Sequence, residues 1–349
     1  MSRVNFALAI VFFISLSCSE KEQKPSDNEN SIKYSSLFPE ADYNFIDPQF
    51  NSLITHMGVM DNNYYLSASD IHVTDKELNI LNSLESYSIV NKIVPVNSNT
   101  ALICTTSGIY KVDQNNSFEK VVEIPCSDLE IDQKGRILFV AGTGTLSKEE
   151  QEVANILELN LEEKNYSFYS NVNDSLNEFL HQIEILDNGQ IWTLSSSFSV
   201  YQYENRSVIN TFNNENNSIF PDGEAGMGTG DNLSSNGNTL YLSFSNVRKK
   251  VLKFENNWEI VFDIDPERPE TYDSERDKFI FQNHFFGMGY IDGKMALGIN
   301  DGVIVFNQEG YEVIRDPLLD EFAITQIVNL SPNKTFLLLN QRKIAEINH

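Results

Sequence analysis

Between Phe179 and Phe212 the chain reads FLHQIEILDNGQIWTLSSSFSVYQYENRSVINTF, and no other stretch restricts the fold so tightly. Apolar residues alternate with polar ones through His181–Leu186, Gln190–Ser195, Ser199–Tyr203 and Ser207–Phe212. Turn residues separate these runs: Asp187-Asn188-Gly189, then Ser196-Ser197, then Glu204-Asn205-Arg206. Period-two alternation between tight turns specifies half-buried antiparallel strands, because successive side chains point to opposite faces. Asn, Asp and Gly at the turns supply the backbone conformations that short hairpins need.

The rest of the chain divides in the same way. A first unit holds Ser52–Met60, Tyr64–Ala68, Ile71–Thr74 and Glu77–Leu81, and a second spans Ser88–Ile124. Further units span Asp128–Tyr169, Asn232–Ile264 and Phe285–Ile314. The last has only Thr325–Leu330, Thr335–Asn340 and Lys343–Ile347, so a strand is missing at the C-terminal end. One is left over at the start, Ile32–Phe38, and the expectation is that it completes the last sheet and closes a ring. Four-stranded units repeating about every 40 residues specify an all-β chain forming a single β-propeller. The count predicts seven blades of four antiparallel strands over residues 32–349, with six or eight as alternatives.

Met1-Ser2-Arg3 followed by the apolar run Phe6–Leu16 has the form of an export signal, too short for the about 20 residues a membrane span needs. Ser15-Leu16-Ser17-Cys18 resembles the lipobox of bacterial lipoproteins. That resemblance implies a signal peptide over 1–17, lipidation of Cys18, and a tether over 18–31 that is polar and without periodicity. A plain secretory signal containing a cysteine is the alternative. Ser19-Glu20-Lys21-Glu22 is similar to the export signal of Bacteroidota surface lipoproteins, which implies an outer-membrane, surface-exposed protein, with a periplasm-facing one as the alternative. In an oxidising compartment Cys104 and Cys126 form a disulfide if their Cα atoms come within about 7 Å, and otherwise act as two small buried apolar groups.

Leu186–Glu204 resembles the repeat of the two-component-regulator propellers, and the period is similar to that of WD40 and kelch repeats. The Gly expected after Trp192 is absent, and no kinase segment accompanies the resemblance. It implies a propeller lipoprotein of the Bacteroidota type, without implying signalling.

Lys and Arg number 25 against 50 Asp and Glu, a net charge of -25, which disfavours nucleic acid and anionic membrane surfaces as partners. Cations or basic protein surfaces fit better. Asp265, Glu267, Glu270, Asp273, Glu275 and Asp277 crowd one connection between units, which reads as a docking loop for a basic partner, a Ca²⁺ site, or a solvated charge run. The Asp-x-Asp-x-Asp-Gly spacing of a calcium loop is absent, and no cofactor is predicted. The longest connections, Gly142–Ala154, Asn213–Asp231 and Asp265–Lys278, share one face by topology, and that insertion face is the expected contact for a protein or glycan. Polar residues at the starts of inner strands, His56, Asn91, Asp128, His181, Asp231, His284 and Gln326, are candidates for the channel mouth. Three imidazoles among them would suit zinc if they met, although they are out of register.

No nucleophile elbow, His-Glu-x-x-His or Cys-x-x-Cys pattern occurs. The reading is therefore a non-catalytic, lipid-anchored binding or scaffold module, monomeric or an accessory subunit of an envelope complex. The alternative is an exported lyase or hydrolase with a metal at the channel mouth.

Overall fold

The computed structural model describes residues 32–34, 37, 38, 41–60, 63–85, 88–141, 156–170, 179–221, 232–245, 250–263, 272, 273, 278, 279, 285–300, 302–307, 310–319, 322–331 and 334–348. They build seven four-stranded antiparallel blades. Blade one holds His56–Met60, Asn63–Ser67, Ile71–Thr74 and Ile80–Leu84, and blade two Val90–Asn97, Thr100–Thr105, Gly108–Val112 and Phe118–Val122. Blade three holds Cys126–Ile131, Ile137–Ala141, Leu157–Asn160 and Asn165–Phe168, and blade four Leu180–Ile185, Ile191–Ser195, Val200–Glu204 and Ser207–Phe212. Blade five holds Asn232–Asn236, Thr239–Phe244, Lys250–Phe254 and Trp258–Asp263, and blade six Met288–Ile291, Lys294–Ile299, Gly302–Asn307 and Gly310–Arg315. Blade seven takes Ile324–Ser331, Lys334–Leu339 and Lys343–Asn348 from the end of the chain. The first strand of each blade lies against that of the next, and the seventh against the first, so the ring is closed around a central channel.

The strand that completes blade seven is Asp42–Ile46, paired antiparallel with Lys343–Asn348, and not Ile32–Phe38. The earlier segment instead adds Ile32–Tyr34 as a parallel fifth strand on the outer edge of blade six, against Val313–Arg315. Leu37 and Phe38 then turn inward and are buried between blades six and seven. Two consecutive pieces of the N-terminal region therefore cap two neighbouring sheet edges that would otherwise invite pairing with another chain.

Burial follows strand position. Second strands are sealed on both faces: Ala101–Thr105, Ile191–Ser195 and Leu240–Phe244 are buried at every residue. Thr105, Thr193, Ser195 and Ser243 are buried there with the apolar residues, where the alternation predicts half-buried strands. Outer strands such as Ile80–Leu84 and Ser207–Phe212 are largely exposed. Each seam between adjacent blades carries its own hydrophobic cluster, seven in all among the described residues. The seam between blades four and five is aromatic: Trp192 lies edge-on to Trp258 at 6.2 Å, with Phe212 and Phe254 packed beside them. These two tryptophans fill the seam, with 0% and 8% exposure.

Two strands start later than the sequence suggests. The outer strand of blade one begins at Ile80 because Asp75 accepts the Asn79 amide at 2.8 Å and Leu78 adopts φ 63°, extending the turn by three residues beyond Glu77. The inner strand of blade six starts at Met288 where the sequence suggests Phe285, and within it blade seven approaches closely: a Cβ on Gly289 would sit 2.7 Å from that of Ile327. Within the acidic connection, Tyr272–Asp273 and Lys278–Phe279 form a two-stranded ribbon where the sequence suggests a loop. The insertion 142–154 lies outside the described residues, as does the short helical turn it could hold.

Cys104 and Cys126 are joined across the seam of blades two and three, with Cα atoms 5.2 Å apart. The bond closes a loop of sequence separation 22, for which chain-entropy arguments give about 3 kcal/mol. Replacing both cysteines by alanine is expected to lower unfolding stability by about that amount. Denaturant titration of both proteins, with and without reductant, checks it: an unchanged midpoint would exclude the bond.

Candidate functional site: the central channel

Four inner strands start with the same local device. In each, pairing with the second strand skips one residue, between Val90 and Lys92, Cys126 and Asp128, Leu180 and Gln182, and Ile324 and Gln326. The bulged residues are Asn91, Ser127, His181 and Thr325, and a bulge re-aims the side chain that follows it. The following side chains reach across to the next blade. Asp128 accepts the Ile183 amide at 3.0 Å, and Gln182 accepts the Leu233 amide at 2.6 Å. Gln326 accepts from the Met57 amide at 2.7 Å and donates to its carbonyl at 2.9 Å. Lys92 bonds Asp128 at 2.9 Å. The inner edge of the ring is thus stitched blade to blade by side chains that satisfy buried backbone groups.

This placement assigns several of the channel-mouth candidates. Asn91 donates to the Cys126 carbonyl at 2.6 Å, and together with Asp128 and Gln326 it is engaged between blades. His181 is exposed on its bulge. His56 sits deeper, its Nδ1 buried without a hydrogen-bond partner, and burial pushes its pKa down to about 4. It is therefore neutral at pH 7. Asp231 and His284 lie outside the described residues, as do Cys18, Asp265, Glu267, Glu270, Glu275 and Asp277. Asp273 is described only as part of its ribbon. Among the described residues, no group of three or more His, Cys, Asp or Glu side chains is arranged to hold a metal ion.

The structure joins one predicted channel-mouth residue, Asp128, to a set that the sequence does not single out. Lys92 of blade two bridges Asp128 and Glu130 of blade three. Glu184 of blade four accepts from the Ser235 hydroxyl of blade five at 2.6 Å, and Ser235 also hydrogen-bonds Tyr290 of blade six. Three carboxylates thus face one ammonium. Blades enclose these groups, yet channel water still reaches them, since the Lys92 and Glu130 side chains keep 29% and 24% exposure. Burial alone would depress the Lys92 ammonium, but Asp128, Glu130 and Glu184 outweigh it and hold its pKa above 10.5. Burial pushes the Glu130 carboxyl up against the pull of Lys92. Burial, then the neighbouring Glu130, pushes Glu184 up to about 8. Tyr290 is raised for the same two reasons, burial first and the charge of Glu184 second.

A cavity of about 480 Å³ lies among the inner strands, and of this polar set it is Tyr290 that lines it. Met57, Val59, Met60, Ile93, Met288 and Val328 give it apolar sides, and Tyr290, Asn329, Gln326 and Ser234 supply polar groups. It reaches Asn97 and Ser98, in the first hairpin turn of blade two, and therefore the face opposite the insertions. Tyr290 belongs to both regions: it lines the cavity and bonds the serine that holds Glu184.

The raised Glu184 pKa makes folding take up a proton. Unfolded, the carboxyl ionises near 4.5; folded, near 8. Between those values stability falls as pH rises, by at most about 1.4 kcal/mol per pH unit, and below them both states are protonated and the effect vanishes. Glu184→Gln is therefore expected to raise the melting temperature at pH 8 and leave it unchanged at pH 4. Equal shifts at both values would show that the carboxyl titrates normally.

No family model matches the sequence. None of the curated proteins matches it either. Solved structures do. YCF48 bound to D1 peptide aligns with TM-score 0.61 at 14% identity, covering 91% of this chain and 100% of that one. A protein described as the extracellular domain of a hybrid two-component system, BT3049 from B. thetaiotaomicron, aligns with TM-score 0.60 at 11% identity, over 87% of this chain and 41% of that one. Catalytically inactive virginiamycin B lyase from Staphylococcus aureus, with quinupristin, aligns with TM-score 0.58 at 10% identity, over 89% and 100%. At these identities the similarity is one of architecture, and it agrees with the strand order above: the chain is a seven-bladed β-propeller.

Proposed function

We propose that this chain is an exported propeller, anchored through a lipid on Cys18 by the polar segment 18–31, that serves in the outer membrane as a non-catalytic binding or scaffold module for a protein or glycan. The observation that carries a binding role is the channel cavity, concave, apolar-walled and fringed with a few polar groups, which is the usual build of a ligand site. Two structural neighbours support a protein partner, since YCF48 was solved with D1 peptide and BBS1N in complex with ARL6DN. The acidic residues Asp265–Asp277 offer a second contact for a basic surface.

Cross-linking intact cells and capturing the protein tests the binding role. One stoichiometric partner, lost when Met288→Trp fills the cavity, is expected; a bare protein from cross-linked cells would count against it. Radiolabelled palmitate tests the anchor, with label expected on the native chain and absent from Cys18→Ser. Label on neither would leave the plain secretory leader.

A second reading, an exported lyase or hydrolase, is favoured by one observation: Glu184, Lys92 and Tyr290 have displaced pKa values, a common property of acid–base sites, and Tyr290 lines the cavity. Turnover of a glycan or cyclic-ester substrate panel that disappears in Glu184→Gln would establish it. Loss in chelator would add a metal.

A further inference from the structure

We propose that the channel cavity receives an uncharged peptide segment of a protein partner, extended and bearing aliphatic side chains. This deepens the binding reading above and rests on it.

Charge is the first filter. None of the residues lining the cavity is charged, in a chain where 21% are. Lys92 directly precedes the lining residue Ile93, yet it is bound to Asp128 and Glu130. A charged group entering the cavity would lose its water and meet no counter-charge, a cost that apolar contact does not recover.

Hydrogen bonding is the second. Most polar groups of the lining are already engaged. Gln326 grips the Met57 backbone through both ends of its amide, at 2.7 and 2.9 Å, and Asn329 grips the Tyr290 backbone in the same way, at 3.1 and 2.8 Å. The Tyr290 hydroxyl bonds Ser235, and the Ser98 hydroxyl donates to Asn99. Two groups remain without a partner among the described residues: the Ser234 hydroxyl, and the Nδ2 of Asn97, whose Oδ1 accepts the Asn99 amide. A glycan would bring more hydroxyls than two groups can serve. An alkyl chain would cover both groups and leave them dry and unsatisfied. A peptide main chain carries one donor and one acceptor per residue, so it supplies a carbonyl for the Asn97 amide and either kind of partner for the hydroxyl.

Shape and wall chemistry agree. The cavity follows blade two from Ile93 to Asn97, about 13 Å of strand, which is the length of about four extended residues. Its apolar walls include Met57, Met60 and Met288, three of the chain's six methionines, and thioethers adapt to aliphatic side chains of differing shape. The turn at Asn97 and Ser98 is the side from which a partner's loop or chain end enters.

Calorimetry on the full folded protein tests the inference with the capped tetrapeptide Ac-Ala-Leu-Leu-Ala-NH2, its counterparts carrying Lys or Glu in place of the second Leu, maltotriose and n-octanol. The leucine peptide is expected to bind at least about tenfold more tightly than either charged counterpart, which corresponds to about 1.4 kcal/mol, with a negative heat-capacity change from apolar burial. Met288→Trp, its fold checked by its melting curve, is expected to abolish binding by filling the cavity. Ser234→Ala is expected to weaken the peptide about threefold to tenfold and leave octanol unchanged. Octanol or maltotriose binding more tightly than the leucine peptide overturns the inference and assigns the cavity to a lipid chain or a glycan. Equal binding of neutral and charged peptides overturns it as well, because the uncharged lining then selects nothing. So does peptide binding that survives in folded Met288→Trp, and so does the absence of binding by every probe. The cross-linking experiment decides separately whether the propeller binds a partner: a partner that is captured, and lost in Met288→Trp, keeps the cavity as a contact even where the peptide chemistry fails.

Discussion

Asp316→Ala is expected to destabilise the propeller by on the order of 4 kcal/mol, because one buried carboxylate fastens the N-terminal strap to the last blades. Asp316 is only 1% exposed. Its Oδ2 accepts the Leu37 amide at 2.8 Å and the Tyr43 hydroxyl, and its Oδ1 accepts the Leu318 amide at 2.9 Å, shaping the turn Pro317–Leu319. Hydrogen bonds to a charged acceptor contribute about 1.5–3 kcal/mol each, and their loss here strands donors away from water. Leu37 and Tyr43 flank the crossing from blade six to blade seven, so the damage falls on ring closure. Chemical denaturation gives the magnitude, and limited proteolysis should show cleavage near residues 37–41 well before the blades are cut. Asp316→Asn keeps one acceptor oxygen and should fall between. A native midpoint in the alanine variant would mean that the strap is held by its backbone pairing alone.

Lys92→Ala is expected to cost about 3 kcal/mol at pH 7, the lower end for breaking an enclosed ion pair, since channel water softens the penalty. The loss comes from what remains. Asp128 and Glu130 no longer face a cation, and Glu184 lies close enough to add to the repulsion. The sign of the pH dependence follows: removing the lysine raises the folded pKa of Glu130 and Glu184 further, so the penalty is present above their unfolded values and fades as pH falls and they take up protons. A double variant with Glu130→Gln should recover much of the stability at pH 7, because one charge fewer needs compensation. Melting curves from pH 4 to pH 8 read both effects. A deficit independent of pH would trace the loss to packing of the lysine stem instead of its charge.

The blades were readable because each strand carries its own signal. Ile191–Ser195 alternates between a Gly turn and a Ser turn, and nothing distant is needed to recognise it. Ring closure was readable only as arithmetic, one strand short and one strand spare. Choosing the closing strand required knowing its partner: Ile32–Phe38 and Asp42–Ile46 are both short and apolar-alternating, and only pairing with Lys343–Asn348 separates them. The channel cluster was hidden for a related reason. Lys92 and Glu130 are 38 residues apart, and each alone resembles a solvated charge. A signal was nonetheless present in the repeats: Asn91-Lys92-Ile93-Val94, Ser127-Asp128-Leu129-Glu130, His181-Gln182-Ile183-Glu184 and Thr325-Gln326-Ile327-Val328 share one pattern. Aligned on their bulge, they put Lys92, Asp128, Gln182 and Gln326 at one level, and Glu130 and Glu184 at the level below. Counting from the first polar residue of each strand, without the bulge, shifts that alignment by one.

The pairing of Asp42 with Asn348 also sets the order in which this molecule can assemble. Blades one to six are built from hairpins between neighbouring strands, contacts of short sequence separation that form early and with little loop-closure entropy. The last blade cannot follow that route. Its outer strand, Asp42–Ile46, precedes the other blades in the chain and stays without its partner until Lys343–Asn348 has been made. The expected refolding trace is a fast phase in which individual blades gain structure and a slower one in which the two chain ends find each other. During that interval the outer edges of blades six and seven are open to any extended chain nearby, so the interval between first and last strand is when this propeller is most exposed to mispairing.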